Sequence, residues 1–567
     1  MLRRFCTVMV MAVVVAACGD SAVDVNVSQP EITAVSPSEG TAGTDIRVDG
    51  TGFQAGATVR IGSADAPLVE LDGGTLFAAA PSGMVAGSTY DVVVRNPDGG
   101  TATRAAAFTA VAPRAVRVNG VTKPTGLQGM TIIIEGSAFG DDPALSAGRV
   151  LFENRDGSTL EAVVVDPADD WTDAFIVTSV PQGVSDTSWI SVETSTGASE
   201  AIEFRLIQSG TFSPSIINWT ATTPLPQPLQ GLGAVFVPVE GGPTPGNHVF
   251  ALAGADTSHT ATAAVYRAAV HQSGGLGDQW AESAPLPAPR TYHAAAAATP
   301  FTAALDTTTT AAYLYVIGGQ DADGTTVSTI YAGHVDLAGE VTGWAAARPL
   351  PRPLHGTRAL VFRGFLYVVG GAGAGGDPVA KVYRAAVAED GSLGDWTDLG
   401  DLPGPSAFHD LAHFGPFLYV MGGDSTATEP VRATQSGGEI RDTYVGRINL
   451  RNGDLTAVGW SATSPPPKQR SKHNMIFAGG YLFVTSGIYP GQAGSSENVY
   501  GHVLSDGNVE SWNGATGVNT IKNRLGYDLY NQAAVSFVDA EGQGRVLVLG
   551  GAKRGSQGEA SAAVVFY

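Results

Sequence analysis

The stretch YLYVIGG at residues 313–319 returns as FLYVVGG at 365–371 and as FLYVMGG at 417–423, each time 52 residues on. A short run of large apolar residues ended by two glycines reads as a buried strand that stops where a side chain would clash. Looser copies end in glycine near 254, 487 and 551. A variable loop follows each copy, then an aromatic residue: Tyr266, Tyr331, Tyr383, Tyr444, Tyr500, and Phe566 or Tyr567. Twelve to sixteen residues later comes a tryptophan at Trp280, Trp344, Trp396, Trp460 and Trp512. After most of these a proline phrase such as APLPAPRTYH, RPLPRPLHG or GDLPGPSAFH leads into the next unit. Self-similar units of 52 to 65 residues predict a propeller or an array.

The doublet, tyrosine and tryptophan at these spacings resemble the kelch repeat, and the resemblance covers residues 213–567. It implies four-stranded blades, each unable to bury both faces alone, with Tyr and Trp supplying apolar area between neighbours. Trp219 precedes a PLP phrase but has no doublet before it, whereas the last unit stops at VVFY without a tryptophan. The expected solution is a six-bladed propeller over 211–567 whose final blade is completed by SPSIINW, residues 213–219. The doublet is imperfect at Ala253-Gly254 and Ser486-Gly487, and TGVNTIKNR replaces the sixth proline phrase.

Upstream, VSPSEG at 35–40, IRVDGTGF at 46–53, AAPSG at 79–83 and YDVVVRNPDGG at 90–100 place short strands between Gly, Pro and Asp turns, a small β-sandwich. Their order resembles the IPT/TIG family of immunoglobulin-like domains over residues 30–112, with Gly50, Gly52 and Phe53 at the family's turn and Asn96 to Gly99 at its closing hairpin. Residues 113–210 look like a second, divergent copy: GMTIIIEGSAFG at 129–140 parallels 43–54, but SVETSTGAS at 191–199 lacks the Asn-Pro-Asp run. The whole chain is therefore expected to be all-β, two immunoglobulin-like sandwiches followed by a propeller.

The chain carries 53 acidic and 32 basic residues, a formal charge of -21, and residues 30–112 hold nine acidic and four basic side chains. Such a surface repels phosphate backbones, so no nucleic-acid partner is expected. The only cysteines, Cys6 and Cys18, lie at the very start, which leaves the folded body without disulfides or thiolate chemistry. MLRRFCTVMVMAVVVAACGDS reads as a basic n-region, a short apolar core and Val15-Ala16-Ala17-Cys18. The last four residues resemble a bacterial lipobox: residues 1–17 would be a signal peptide, Cys18 the lipidated residue, and 18–29 a linker. The alternative is a plain secretory signal with an incidental cysteine. Lipidation would tether the protein to a membrane, the outer membrane or cell surface being the expected address.

All ten histidines lie in the repeats. Arg290 and His293, His409, and Arg470 and His473 recur just after the proline phrase, with Arg358 and Arg524 at neighbouring positions. A ring of such groups at one mouth of a channel could grip a carboxylate or sugar hydroxyls. Recurrence with the period equally suits a scaffold role between blades. QDADGTT at 320–326 offers Asp321 and Asp323 but too few oxygens nearby for calcium, so no metal and no cofactor are expected. The copper radical oxidases built on kelch blades need a Tyr-Cys crosslink, and the mature body has no cysteine for it. The expected function is a membrane-anchored envelope binding or adhesion protein presenting the propeller to carbohydrate or protein. The alternative is a sugar-acid enzyme similar to the kelch-type sialic acid mutarotases, with Arg290, Arg470 or Arg524 on the carboxylate and His293 or His473 moving a proton.

Overall fold

The structure, a computed structural model, describes residues 29–567 except 68, 119–123, 127, 165–166, 207–217, 240–245, 272–273, 300–304, 306–307, 427–437, 450–451, 479, 491–496, 505, 516–526, 539–543, 554–558 and 567. The signal segment, Cys18, the start of the SPSIINW phrase and Arg524 lie outside the described residues. The chain is all-β and divides into two compact units, the first holding most of the described residues up to Thr109 and the second the remainder.

In the first unit Glu31–Ser36 pairs with Asp45–Thr51 through a bulge between Ile32 and Ala34. Gly50 is required there, because a Cβ would lie 1.9 Å from the Glu31 carbonyl oxygen and 2.4 Å from the Phe53 ring. Buried Asn96 donates from Nδ2 to the Gly52 carbonyl at 2.8 Å and accepts from the Gln54 amide at 3.2 Å. These bonds tie the closing hairpin to the glycine turn, which accounts for both sequence phrases.

Residues 114–206 form two sheets around one core that contains Ile132, Ile134, Phe139, Phe152, Trp171, Ile190 and Phe204. Arg114–Val118 meets Thr131–Ser137 through a bulge between Ala115 and Arg117. A Cβ on Gly136 would lie 1.9 Å from the Arg114 carbonyl and 2.5 Å from the Phe139 ring, the same steric arrangement as at Gly50. This module packs on later segments: Ile133 and Val177 of the sheet share a buried cluster with Phe362, Tyr367 and Leu418, Arg363 lies 3.8 Å over the Phe175 ring, and Arg447 pairs with Asp170 of the helical turn Pro167–Asp170.

Six four-stranded antiparallel sheets follow. Their first strands are Gly233–Val239, Ala294–Ala298, Arg358–Phe362, Asp410–Phe414, Asn474–Ala478 and Ala533–Val538. The sixth takes Gly544–Leu549 and Val564–Phe566 and then Thr220–Ala221, with Thr220 opposite Phe566 and Ala221 opposite Val565. Buried clusters lie between consecutive sheets, and Leu229, Val249, Val535 and Leu547 form one between the sixth and the first. Trp219, 1 % exposed, packs on Phe483, Val546 and Val565.

Four of the seven letters of the repeated phrase have a distinct steric or bonding task between sheets. The hydroxyls of Tyr315, Tyr367 and Tyr419 donate to the carbonyls of Gly391, Gly453 and Gly507 in the next sheet's outer hairpin at 2.8, 2.7 and 2.8 Å. The rings of Tyr313, Phe365 and Phe417 fill the space a Cβ would take on those same glycines, at 2.3, 2.6 and 2.4 Å. The first glycine of the doublet has φ near +60° and would press a Cβ on the next sheet's carbonyl, 2.4 Å away for Gly318 and Gly422. The second donates its amide to that carbonyl: Gly319 to Leu354, Gly371 to Ser406 and Gly423 to Arg470, all at 2.8 Å. The bond survives at the imperfect doublets, Gly254 to Arg290 and Gly487 to Leu529, and Gly551 donates to Leu229 of the first unit of the array.

Candidate functional site

Just before each first strand the chain passes through one residue with positive φ: Gly231, Tyr292, Gly356, Phe408, Lys472 and Asn531, all between 51° and 58°. The amide of each donates to the carbonyl of the one before it. Tyr292 bonds to Gly231, Gly356 to Tyr292, Phe408 to Gly356, Lys472 to Phe408 and Asn531 to Lys472, and Gly231 bonds to Asn531, at 2.8 to 3.1 Å. The series returns to its start as a collar. Left-handed backbone costs a non-glycine residue about 1–2 kcal/mol, so four side chains are held here against their preference.

Those side chains fill the middle of the collar. Tyr292 and Phe408 meet edge to face at 5.6 Å, each over the glycine before it, Gly231 and Gly356. The Lys472 ammonium stands 5.1 Å over the Phe408 ring, and Asn531 Nδ2 donates to the Tyr292 hydroxyl at 3.4 Å. Burial lowers the Lys472 pKa to about 8, while Asp424 and Glu439 favour its charged form.

The described candidate residues of the sequence flank this collar but face into the walls. His293, His409 and His473 are fully buried. The His409 ring sits against Gly370 and the His473 ring against Gly422, the first glycines of the preceding sheets' doublets. Carbonyls of Leu252, Val369 and Met421 approach the three rings without the geometry of a full hydrogen bond. Desolvation pushes His293 and His409 down to about 3 and His473 well below its ordinary value, so all three stay neutral near pH 7. Arg290 turns into its own sheet, donating to Thr329 Oγ1 at 2.5 Å and lying 5.1 Å over Tyr331. Arg470 does the same with Tyr489, donating to its hydroxyl at 2.8 Å. Among the described candidates only Arg358 keeps appreciable exposure, 24 % of its side chain, and its Nε donates to Asp410 Oδ1 at 2.7 Å. Its charge also disfavours protonation of all three histidines. Asp321 Oδ1 accepts the amides of Asp323 and Thr325, a closed turn.

Tyr292, Phe408, Lys472 and Asn531 were not legible as a set, because the position constrains backbone φ and leaves the side chain free. The glycines at 231 and 356 were the only signal. An open groove of about 740 Å³ lies between the second and third sheets and is lined by Tyr313, Ala332, His334, Arg348, Asp390 and Leu393 among others.

Residues 30–110 are an IPT/TIG domain by match to that family. No curated protein matches the chain. Among solved structures, the one titled "Structure of YjhT" aligns over 61 % of this chain and 97 % of its own at 13 % identity, with a TM-score of 0.43. No described helix is long and apolar enough to cross a membrane.

Proposed function

We propose that this is a membrane-anchored cell-envelope binding protein: a lipid anchor at Cys18, immunoglobulin-like spacers at 30–112 and 113–210, and a six-bladed kelch-type propeller over 211–567 that presents its loops to carbohydrate or protein. The propeller reading is supported by the cyclic collar and by the Gly551–Leu229 and Thr220–Phe566 pairings, which link the last sheet to the start of the array. The second spacer is supported by the shared bulge and the matching constraints at Gly50 and Gly136.

A single observation carries the choice of binding over catalysis. The collar is filled by Tyr292 and Phe408, and the described groups that a sugar-acid enzyme would use at that mouth are taken up in the walls: Arg290 and Arg470 bond within their own sheets, and His293 and His473 are buried. An imidazole held near 3 is also a weak proton acceptor at neutral pH. Recognition then falls to the loops on the propeller's faces and to grooves between its blades. The test is a screen of glycans and envelope polysaccharides on the full chain, with Arg290→Ala and Arg470→Ala as controls. Binding that survives both changes supports the loops; turnover of a sugar acid that either change abolishes would replace this reading with the enzymatic one.

A further inference from the structure

The carbonyls that receive the second glycine of each doublet, perfect or imperfect, mark six equivalent positions: Leu229, Arg290, Leu354, Ser406, Arg470 and Leu529. Five of these residues carry a bulky side chain that fills the space beside its sheet. Ser406 does not, and a cavity of about 210 Å³ opens there, lined by Leu402, Pro405, Ser406, Val420, Asp442 and Tyr444 among others.

The charges around this position have changed with it. Tyr444 stands opposite Val420 as Tyr331 stands opposite Val316, so Asp442, two residues earlier, occupies the place of Thr329. In the second sheet Arg290 donates to Thr329 and lies over Tyr331; in the fourth the arginine has become Ser406 and the threonine a carboxylate. The fifth sheet has an acid at the same place, Glu497, and there Arg470 is near enough for Glu497 to favour its charged form. Asp442 has no such neighbour: it forms no ion pair among the described residues, and its carboxylate accepts the Tyr444 hydroxyl at 3.1 Å. No cation and no second ring lies over the Tyr444 ring among those residues.

The hydroxyls at the cavity have their protons committed. Ser406 Oγ donates to the Gly422 carbonyl at 2.9 Å, Ser425 Oγ to that of Gly438 at 3.1 Å, and the Tyr444 hydroxyl to Asp442. What they offer an occupant is lone pairs beside a negative charge. An anion is repelled by that lining, whereas a cation that only donates is matched at several points.

We propose that this cavity binds a primary alkylammonium group, with its N–H donors on Asp442 and the hydroxyl oxygens and its methylene stem against Leu402, Pro405 and Val420. The acceptors come from three separate segments, which suits the three donors of an ammonium better than a planar fork. The Tyr444 ring adds a cation–π face, and the cavity leaves room for a stem of about four methylenes, as in lysine. A net charge of -21 draws cations towards the chain. The site needs only the fourth sheet and the phrase that precedes it, so it stands or falls apart from the carbohydrate or protein recognition proposed for the loops.

The experiment titrates the full chain at neutral pH with n-butylamine, which is protonated there, and with n-butanol, read by ligand NMR or calorimetry. The amine is expected to saturate, and the alcohol, with the same stem and no charge, to bind at least about tenfold more weakly. The diamine putrescine and the blocked peptide Ala-Gly-Lys-Gly-Ala separate the two sources of such a group. Binding of the diamine without the peptide assigns the cavity to a free amine, and binding of both admits a lysine side chain of a partner. Asp442→Asn, at an exposed position, is expected to lower n-butylamine binding at least about tenfold with an unchanged circular dichroism spectrum and melting point. Ser406→Leu, which copies the first, third and sixth units, provides a second route to the same loss by filling the cavity. Equal binding of amine and alcohol, undiminished binding by a folded Asp442→Asn chain, or no saturable binding of any of the amines would overturn the inference. A glycan hit in the same protein would leave the binding reading standing.

Discussion

Replacing Trp219 by alanine probes how the beginning of the array is built into its end. The indole is 1 % exposed and sits among Ile476, Phe483, Leu529, Val546, Val548 and Val565, all from the fifth and sixth units. Deleting a fully buried tryptophan costs about 3–5 kcal/mol, the transfer term plus the cavity left behind. The Trp219 indole N–H has no hydrogen-bond partner among the described residues, so Trp219→Phe removes a buried orphan donor as well as volume. Relief of that donor, about 1–3 kcal/mol, offsets most of the lost packing and brings the phenylalanine variant within about 1.5 kcal/mol of the parent. Trp344 differs, since its indole donates to the Ala284 carbonyl at 2.8 Å, and Trp344→Phe strands that acceptor. Urea unfolding of the full chain followed by circular dichroism should therefore rank Trp219→Ala as the most destabilised, with a midpoint lowered by on the order of 1 M. Trp344→Phe should come next and Trp219→Phe last. A Trp219→Ala chain within about 1 kcal/mol of the parent would refute the reasoning, because a tryptophan outside a packed core costs that little.

Tyr315→Phe, Tyr367→Phe and Tyr419→Phe each remove one hydroxyl bond to the next sheet and should cost about 1 kcal/mol apiece in the same assay, adding to about 3 in the triple variant because the sites share no partner. Gly422→Ala should be worse than any of them, by about 2–4 kcal/mol, since its Cβ would lie 2.4 Å from the Arg470 carbonyl at a φ of 62°; a near-neutral effect would contradict this close approach of the fourth sheet to the fifth. Burial pushes His293 and His409 down to about 3 and His248, His355 and His413 to about 4, whereas in the unfolded chain they titrate near about 6.5. The unfolded state therefore binds more protons between these values, so stability is fully present above about pH 6.5 and falls as pH drops, by about 2 kcal/mol at pH 5 for His409 alone. His409→Gln copies the sixth unit, where Gln532 Nε2 donates to the Thr485 carbonyl at 3.3 Å, and melting curves from pH 7 to 5 should show it less acid-sensitive than the parent.

The period was legible because its residues do steric work that few others can do. Gly318, Gly370 and Gly422 face a neighbouring carbonyl, and Tyr315, Tyr367 and Tyr419 span to the next hairpin, so the chain must repeat them. In the first unit, Gly50 and Asn96 were legible for the same reason. The candidate site was legible only as a set of residue types. Recurrent Arg290, Arg470, His293, His409 and His473 were visible, but the direction each faces depends on whether its neighbour offers a tyrosine ring, a carbonyl or a glycine. Residues of the collar left no pattern because glycine, tyrosine, phenylalanine, lysine and asparagine all satisfy one backbone angle.

The proposed closure of the array is tested most directly by native-state hydrogen exchange at the amides of Gly231, Asn531 and Gly551, compared with Gly356 and Phe408 from the middle of the collar. With the last sheet joined to the first, all five are predicted to exchange with similar protection, opening only with the array as a whole. Rapid exchange at Gly231 and Gly551 beside slow exchange at Gly356 and Phe408 would mean that the two ends do not meet, and would contradict the account.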